Sequence, residues 1–136
     1  MHLAFLSSSE LALLNELTVL NMSQRQPILQ WKLRISDFCF RRGEPVIIAA
    51  EETGRVHVLP LDREGRQWSF DALPGPKIVR AAVHPNGRTV ALARASGQID
   101  VVDITTGKPL TRLRDHNGSY PTDICFSPDG RFFATC

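Results

Sequence analysis

The sequence predicts an all-β chain of repeated four-stranded antiparallel sheets, preceded by one N-terminal helix. Two observations carry the sheets. First, residues 81–84, 89–93 and 99–103 are short apolar stretches, separated by Pro85-Asn86-Gly87-Arg88 and Ala95-Ser96-Gly97-Gln98, and Gly107 and Pro109 set off a fourth stretch ending near Leu113. Gly or Pro recurs before two helical turns could close, whereas strands of about five residues joined by tight turns fit. Second, this pattern repeats. A shift of 43 positions lays Pro85 on Pro128, Asn86 on Asp129, Gly87 on Gly130, Arg88 on Arg131 and Ala91 on Ala134; the same shift backwards lays Gly97 on Gly54, Ile99 on Val56, Val101 on Val58 and Ala93 on Ala50. Repeats of about 40 to 45 residues made of four strands have the spacing of β-propeller blades, whose sheets bury both faces against their neighbours around a central channel.

Taken in order, residues 1–27 are expected to form the helix and a connector. Ser7 and Glu10 have capping-box spacing, and Leu11, Leu13, Leu14, Leu17 and Leu20 gather on one helical face, which suits packing on the sheets. Residues 22–27 are polar and end in Pro27. Residues 28–136 form the propeller part, with residues 28–33 as an outer strand whose partners lie beyond Cys136. The first copy, about 34–76, has strands at 35–40, 45–50, 55–59 and 67–72; Gly43 falls one place early, so its turn should differ in type from those at Gly87 and Gly130. Pro60 cannot donate to a ladder and belongs at a strand end. Leu73-Pro74-Gly75-Pro76 makes the crossing to the second copy, about 77–119, and a third, incomplete copy occupies 120–136. The expectation is therefore about two complete blades and a partial third. Propellers close with about four to eight blades, so the ring is incomplete: either the chain is the leading part of a longer protein, or it self-associates through open strand edges.

Asp115-His116 followed by residues 122–135, with the phrase Phe126-Ser127-Pro128-Asp129-Gly130-Arg131, resembles the opening half of a WD-repeat blade. Residues 93–103 resemble its next part, with Ser96-Gly97 at the middle turn and Val102-Asp103 where that family carries Trp-Asp. The family's buried polar set of His, Ser or Thr, Asp and Trp is represented only by His116: Ser96 and Thr53 stand at the turn Asp, Val102 and Leu59 at the Trp. The repeats are therefore degenerate and should be held mainly by apolar burial. The resemblance implies a non-catalytic scaffold that binds proteins. Because Ser-Pro-Asp-Gly turns also occur in propellers attached to enzymes, it implies as the alternative a regulatory appendage of a kinase or peptidase encoded in the same longer chain.

The 136 residues carry a net charge of only +2, which gives no support to nucleic-acid binding. The arginines at 41, 42, 55, 63, 66, 80, 88 and 94 read as a solvated, mixed surface. Three cysteines lack metal-ligand spacing, and Cys39 and Cys125 share the repeat position of Ala82, a small residue expected to be buried. Leu3-Ala4-Phe5-Leu6 has no basic start and is too short for a secretory signal, and no stretch could span a membrane, so the expected location is cytoplasmic, with no membrane partner.

Catalytic motifs are missing: no G-x-S-x-G elbow, phosphate loop, H-E-x-x-H or paired C-x-x-C occurs, so no enzyme activity, cofactor or metal is expected. His84 suits a turn role, His57 a strand position facing away from Val56 and Val58, and the adjacent Glu51-Glu52 pair an exposed loop. Recognition on such a scaffold falls to loops. The candidate partner-contact residues are Glu51, Glu52 and Arg55 in the first loop, Ser96 and Gln98 in the second, Asp115 and Tyr120 in the third, with Trp68 and Tyr120 as aromatic anchors.

Overall fold

In a computed structural model, the described residues are 3–7, 10–13, 17–41, 43–62, 64–114 and 119–136, with side chains described from residue 17 onward. They form fourteen strands and no helix. The first sheet comprises β1 (Leu3–Ser7), β2 (Glu10–Leu13), β3 (Leu17–Asn21) and β4 (Gln26–Trp31). The second comprises β5 (Ile35–Phe40), β6 (Val46–Glu51), β7 (Arg55–Pro60) and β8 (Trp68–Asp71). The third comprises β9 (Ile78–Val83), β10 (Thr89–Arg94), β11 (Gln98–Asp103) and β12 (Pro109–Arg114), and β13 (Ile124–Phe126) pairs with β14 (Phe133–Thr135). Every four-stranded sheet is an antiparallel meander in sequence order. β9 packs between β5 and β13, and β1 meets β5, so the first strand of each unit lies against the first strand of the next.

The N-terminal helix is not formed. Residues 3–31 make a complete sheet, so three four-stranded sheets precede the two-stranded one. In β3, Leu17 and Val19 are fully buried while Thr18 and Leu20 are half-buried, a period of two rather than 3.6. Burial of that face against the second sheet, beside Ile35, Phe38, Ile47, Ala49 and Leu59, outweighs the helix preference of leucine. Glu10 pairs across the ladder with Asn21 instead of closing a capping box. The connector expected at residues 22–27 is a tight turn: Asn21 Oδ1 accepts from the Ser23 and Gln24 amides at 3.0 Å each, and Arg25 takes φ +53°. β4 is an outer strand, as expected, but its partner is β3 and not a segment beyond Cys136.

From residue 35 onward the 43-residue spacing is kept down to irregularities. Ser36 and Val79 both bulge, because Ile35 pairs with Glu51 while Asp37 pairs with Ala50, and Ile78 pairs with Arg94 while Arg80 pairs with Ala93. The turns at 84–89 and 127–132 are closed alike, by His84 N–H on the Thr89 carbonyl and Ser127 N–H on the Phe132 carbonyl. In both, an Asx side chain accepts from the amide two residues on, Asn86 from Arg88 and Asp129 from Arg131. The first copy differs as expected, with Glu44 rather than glycine donating back to the Arg41 carbonyl. Pro60 ends β7.

Gly87 and Gly130 have φ of +69° and +73°, and each is approached by the preceding sheet. A Cβ on Gly87 would lie 2.8 Å from Arg41 Nε, and one on Gly130 would overlap the His84 ring. Arg41 and His84 are themselves equivalent, so each sheet leans a side chain on the next sheet's turn.

Two apolar seams hold the second, third and fourth units together. Ile48, Ala50, Val56 and Val58 meet Ile78, Ala81, Val90, Leu92, Val102 and Ile104; one repeat on, Ala82, Ala91, Ala93 and Ile99 meet Ile124 with Phe126 and Phe133. The position shared by Cys39, Ala82 and Cys125 looks toward the following sheet. Ala82 is buried and Cys39 half-buried, but Cys125 is exposed, contrary to expectation, because no described sheet covers that side. Burial pushes the Cys39 thiol far above its ordinary range, with nearby Asp37 adding to the shift, so it is inert packing.

Leu92→Ala in the seam should cost about 2–5 kcal/mol, whereas Leu113→Ala on β12, 43% exposed, should cost no more than about 1 kcal/mol. Urea unfolding of both variants checks the difference.

Candidate functional site

The ends of β6 and β10 each carry a buried or half-buried cluster of hydrogen-bonded polar side chains. In the third sheet Arg94 closes β10 and Asp100 stands in β11, both almost wholly buried. Arg94 Nε donates to Asp100 Oδ2 at 2.6 Å, and Arg112 on β12 donates from Nε to Oδ1 at 2.7 Å. Gln98 Nε2 adds a hydrogen bond to Oδ1 at 3.2 Å. The remaining guanidinium nitrogens of Arg94 reach back to the carbonyls of Leu73 and Pro76 in the connector, which Gly75 brings close. Burial opposes ionisation of Asp100, but the hydrogen bonds and charges of Arg112 and Arg94 outweigh it and hold its carboxyl below the ordinary range.

In the second sheet the same two positions hold Glu51 and His57. His57 Nε2–H donates to Glu51 Oε1 at 2.6 Å, and Thr53 Oγ1–H donates to Oε2 at 3.3 Å. Beside them a pocket of about 440 Å³ is lined by Leu33, Arg34, Ile35, Glu51, Glu52 and Thr53. Glu51 is thus not the freely exposed loop carboxylate that its sequence suggests.

The two turns that follow β6 and β10 share one rim. The connector between the second and third sheets joins them: Ile78 N–H donates to the Glu52 carbonyl at 3.2 Å, and Ala95 N–H donates to the Lys77 carbonyl at 3.0 Å. Lys77 Nζ also stands 3.6 Å from Glu52 Oε1. Gly54 and Gly97, at φ +103° and +80°, turn the chain in equivalent places.

Among the expected contact residues, Glu51, Glu52, Arg55, Ser96 and Gln98 all lie on or beside this rim. Glu52, Arg55 and Ser96 are exposed; Arg55 is held by Ser69 Oγ at 2.9 Å and by Asp71 at 3.6 Å. Gln98 is half-buried and committed to Asp100. Trp68 is half-buried in the seam with the third sheet, its ring 5.3 Å from Phe70, which leaves it a packing residue more than an anchor. Tyr120 is 51% exposed. Asp115 and His116 lie outside the described residues.

Arg94 departs from the solvated surface expected of the arginines, since its side chain is 1% exposed. The triad it anchors escaped the sequence reading, although a signal was there. The 43-residue shift lays Glu51 on Arg94 and His57 on Asp100, an ionisable pair six residues apart in both copies with its carboxylate at the opposite member.

Elsewhere, the Asp37 carboxylate is buried and accepts from the Ala81 amide across the seam at 2.8 Å. Asp103, at the family's Trp-Asp position, accepts from the Thr105 and Thr106 amides at 2.8 and 3.0 Å and from Arg88 Nε at 2.8 Å. His84 has the turn role expected of it: Nδ1 accepts from the Asn86 amide at 3.1 Å, so Nε2–H donates to the Gly130 carbonyl at 3.0 Å.

Asp100→Asn leaves Arg94 buried beside a neutral partner and should destabilise the chain by about 3–5 kcal/mol at neutral pH. Because the folded carboxyl titrates below its unfolded value of about 3.9, its contribution is complete above that value and is lost as pH falls through the lowered folded value. Urea midpoints of wild type and Asp100→Asn should therefore differ by a constant amount above about pH 4 and draw together only below it.

No family model matches the chain. WD repeat-containing protein 1 of Bos taurus is 42% identical over 107 residues, covering 77% of this chain and 17% of that protein. Structures of Kluyveromyces lactis Hsv2 superpose with a TM-score of 0.78 at 19% identity, over 98% of this chain and 44% of that one in one case, and 99% and 45% in another. The chain thus spans less than half the length of either relative. The Hsv2 likeness is one of fold. Together with the repeated sheets and the likeness to a WD-repeat protein, it makes this chain a member of the WD-repeat β-propeller family, a partial propeller with degenerate repeats.

Proposed function

We propose that the chain is a non-catalytic protein-interaction scaffold, forming one segment of a larger propeller, and that its partner engages the rim formed by residues 51–55 and 95–98. The observation that carries this reading is the rim itself. Two equivalent turns are tied to one connector by backbone hydrogen bonds, with Glu52, Thr53, Arg55 and Ser96 exposed over a buried apolar seam. Backbone pairing and seam burial occupy the strands, which leaves turns on a rigid base to vary in sequence and to recognise a partner. The WD-repeat relative and the propeller neighbours support a segment of a larger ring, since each is more than twice as long as this chain.

A photo-crosslinking residue placed in turn at Thr53, Ser96 and Asn86 tests the surface. Asn86 lies in the β9–β10 turn on the opposite rim. Thr53 and Ser96 should yield adducts with the same protein in cell extract, and Asn86 should not. The double change Glu52→Lys and Ser96→Arg should lower recovery of that adduct about tenfold, the loss of one charge-assisted contact. Equal labelling from Asn86, or no adduct from either rim position, contradicts the assignment.

A further inference from the structure

The second and third sheets correspond residue by residue, and at one place they differ in what fills the same space. Moved forward by 43 positions, the pocket-lining residues Leu33, Arg34, Ile35, Glu51, Glu52 and Thr53 fall on Pro76, Lys77, Ile78, Arg94, Ala95 and Ser96. In the third sheet that space is occupied by the chain's own guanidinium. Arg94 lies between β10 and the connector, giving hydrogen bonds to Asp100, to the Pro76 carbonyl and to the Leu73 carbonyl. In the second sheet the position of Arg94 holds Glu51, and the space is open, at about 440 Å³.

The open pocket retains acceptors and has a carboxylate, not a guanidinium, at the position of Arg94. Glu51 presents a carboxylate at 22% side-chain exposure, held in place by His57 and Thr53. Leu33, the counterpart of the Pro76 whose carbonyl Arg94 uses, is one of the lining residues. Glu52 adds a second carboxylate at the mouth, facing Lys77 at 3.6 Å, and Arg34 is exposed there. A planar group with several N–H donors suits a site with two carboxylates, Glu51 and Glu52, better than a point-charge ammonium does, and the volume lies within the range of small-ligand pockets.

We propose that this pocket receives an arginine side chain from a protein partner, which then occupies in the second sheet the place that Arg94 occupies in the third. The source of the arginine rests on the interaction reading above; the pocket's preference for guanidinium does not.

The test is an NMR titration of the 136-residue chain with N-acetyl-arginine amide, set against N-acetyl-citrulline amide, its neutral isostere. The arginine probe should shift the amides of residues 33–35 and 51–53 saturably at millimolar concentration, and citrulline should bind about tenfold more weakly or worse. Glu51→Gln should weaken the arginine probe by a similar factor. The double variant Glu51→Arg and His57→Asp rebuilds the third sheet's pair and should fill the pocket from within, abolishing the response. Equal response to citrulline, no response at these residues, or undiminished binding by the folded double variant overturns the proposal. If either variant fails to fold, the comparison of the two probes on the wild-type chain decides alone. Absent arginine binding with intact rim crosslinks removes this site and leaves the scaffold reading standing; arginine binding without rim crosslinks removes the scaffold reading instead.

Discussion

A four-stranded sheet with two apolar faces cannot leave either one in water, and that constraint organises this chain. Burying a single Val, Ile or Leu side chain is worth about 1.5–3 kcal/mol, and each seam gathers several of them. Ile48, Ala50, Val56 and Val58 are covered on one side of the second sheet, Ile47, Ala49 and Leu59 on the other. Stacking sheet on sheet is the arrangement that satisfies both faces at once, and the meander delivers each sheet beside its predecessor. The strands then have little freedom left, and variation moves to their ends.

Polar chemistry follows from the same geometry. Where the seam reaches the rim, the apolar contacts run out and the last residues of β6 and β10 lie beside the segments that lead into their sheets. The third sheet meets them with Arg94 and neutralises the arginine with Asp100. The second meets them with Glu51 and His57 and leaves room. One scaffold position thus yields a self-filled seam in one repeat and an open pocket in the next, without any change in backbone register. The family's usual polar set is largely missing from these sheets, and the triad around Asp100 supplies internal hydrogen bonding by other residues.

The strands from Ile35 to Arg114 were legible because their turns carry glycine or proline at fixed spacing and their apolar residues come in short runs. The first sheet was not. Its β3–β4 turn uses Asn21 and a positive φ at Arg25 in place of glycine, and its β3 is written in Leu17, Thr18, Val19 and Leu20, whose leucines also fit a helical face. Its strands also lie closer together than 43 residues from those of the second sheet, so the shift that exposes the other copies passes over it. The rim turns could be located from sequence, but the burial of Arg94 and the engagement of Glu51 by His57 could not, because both depend on which strand ends meet the connector. The swap of the carboxylate between equivalent positions carried that information only once the repeat was read as a register and not merely as a likeness.

Everything rests on adjacent sheets facing one another at equivalent positions, and methyl-to-methyl NMR contacts measure that directly. With isoleucine, leucine, valine and alanine methyls labelled, cross-peaks should join Ile48 and Val56 of the second sheet to Val90 and Leu92 of the third, and, in the next seam, Ala82 and Ile99 of the third to Ile124. Cross-peaks confined within single sheets, or joining β6 to β10 at positions other than these, would contradict the stacked arrangement from which the rim and its pocket are derived.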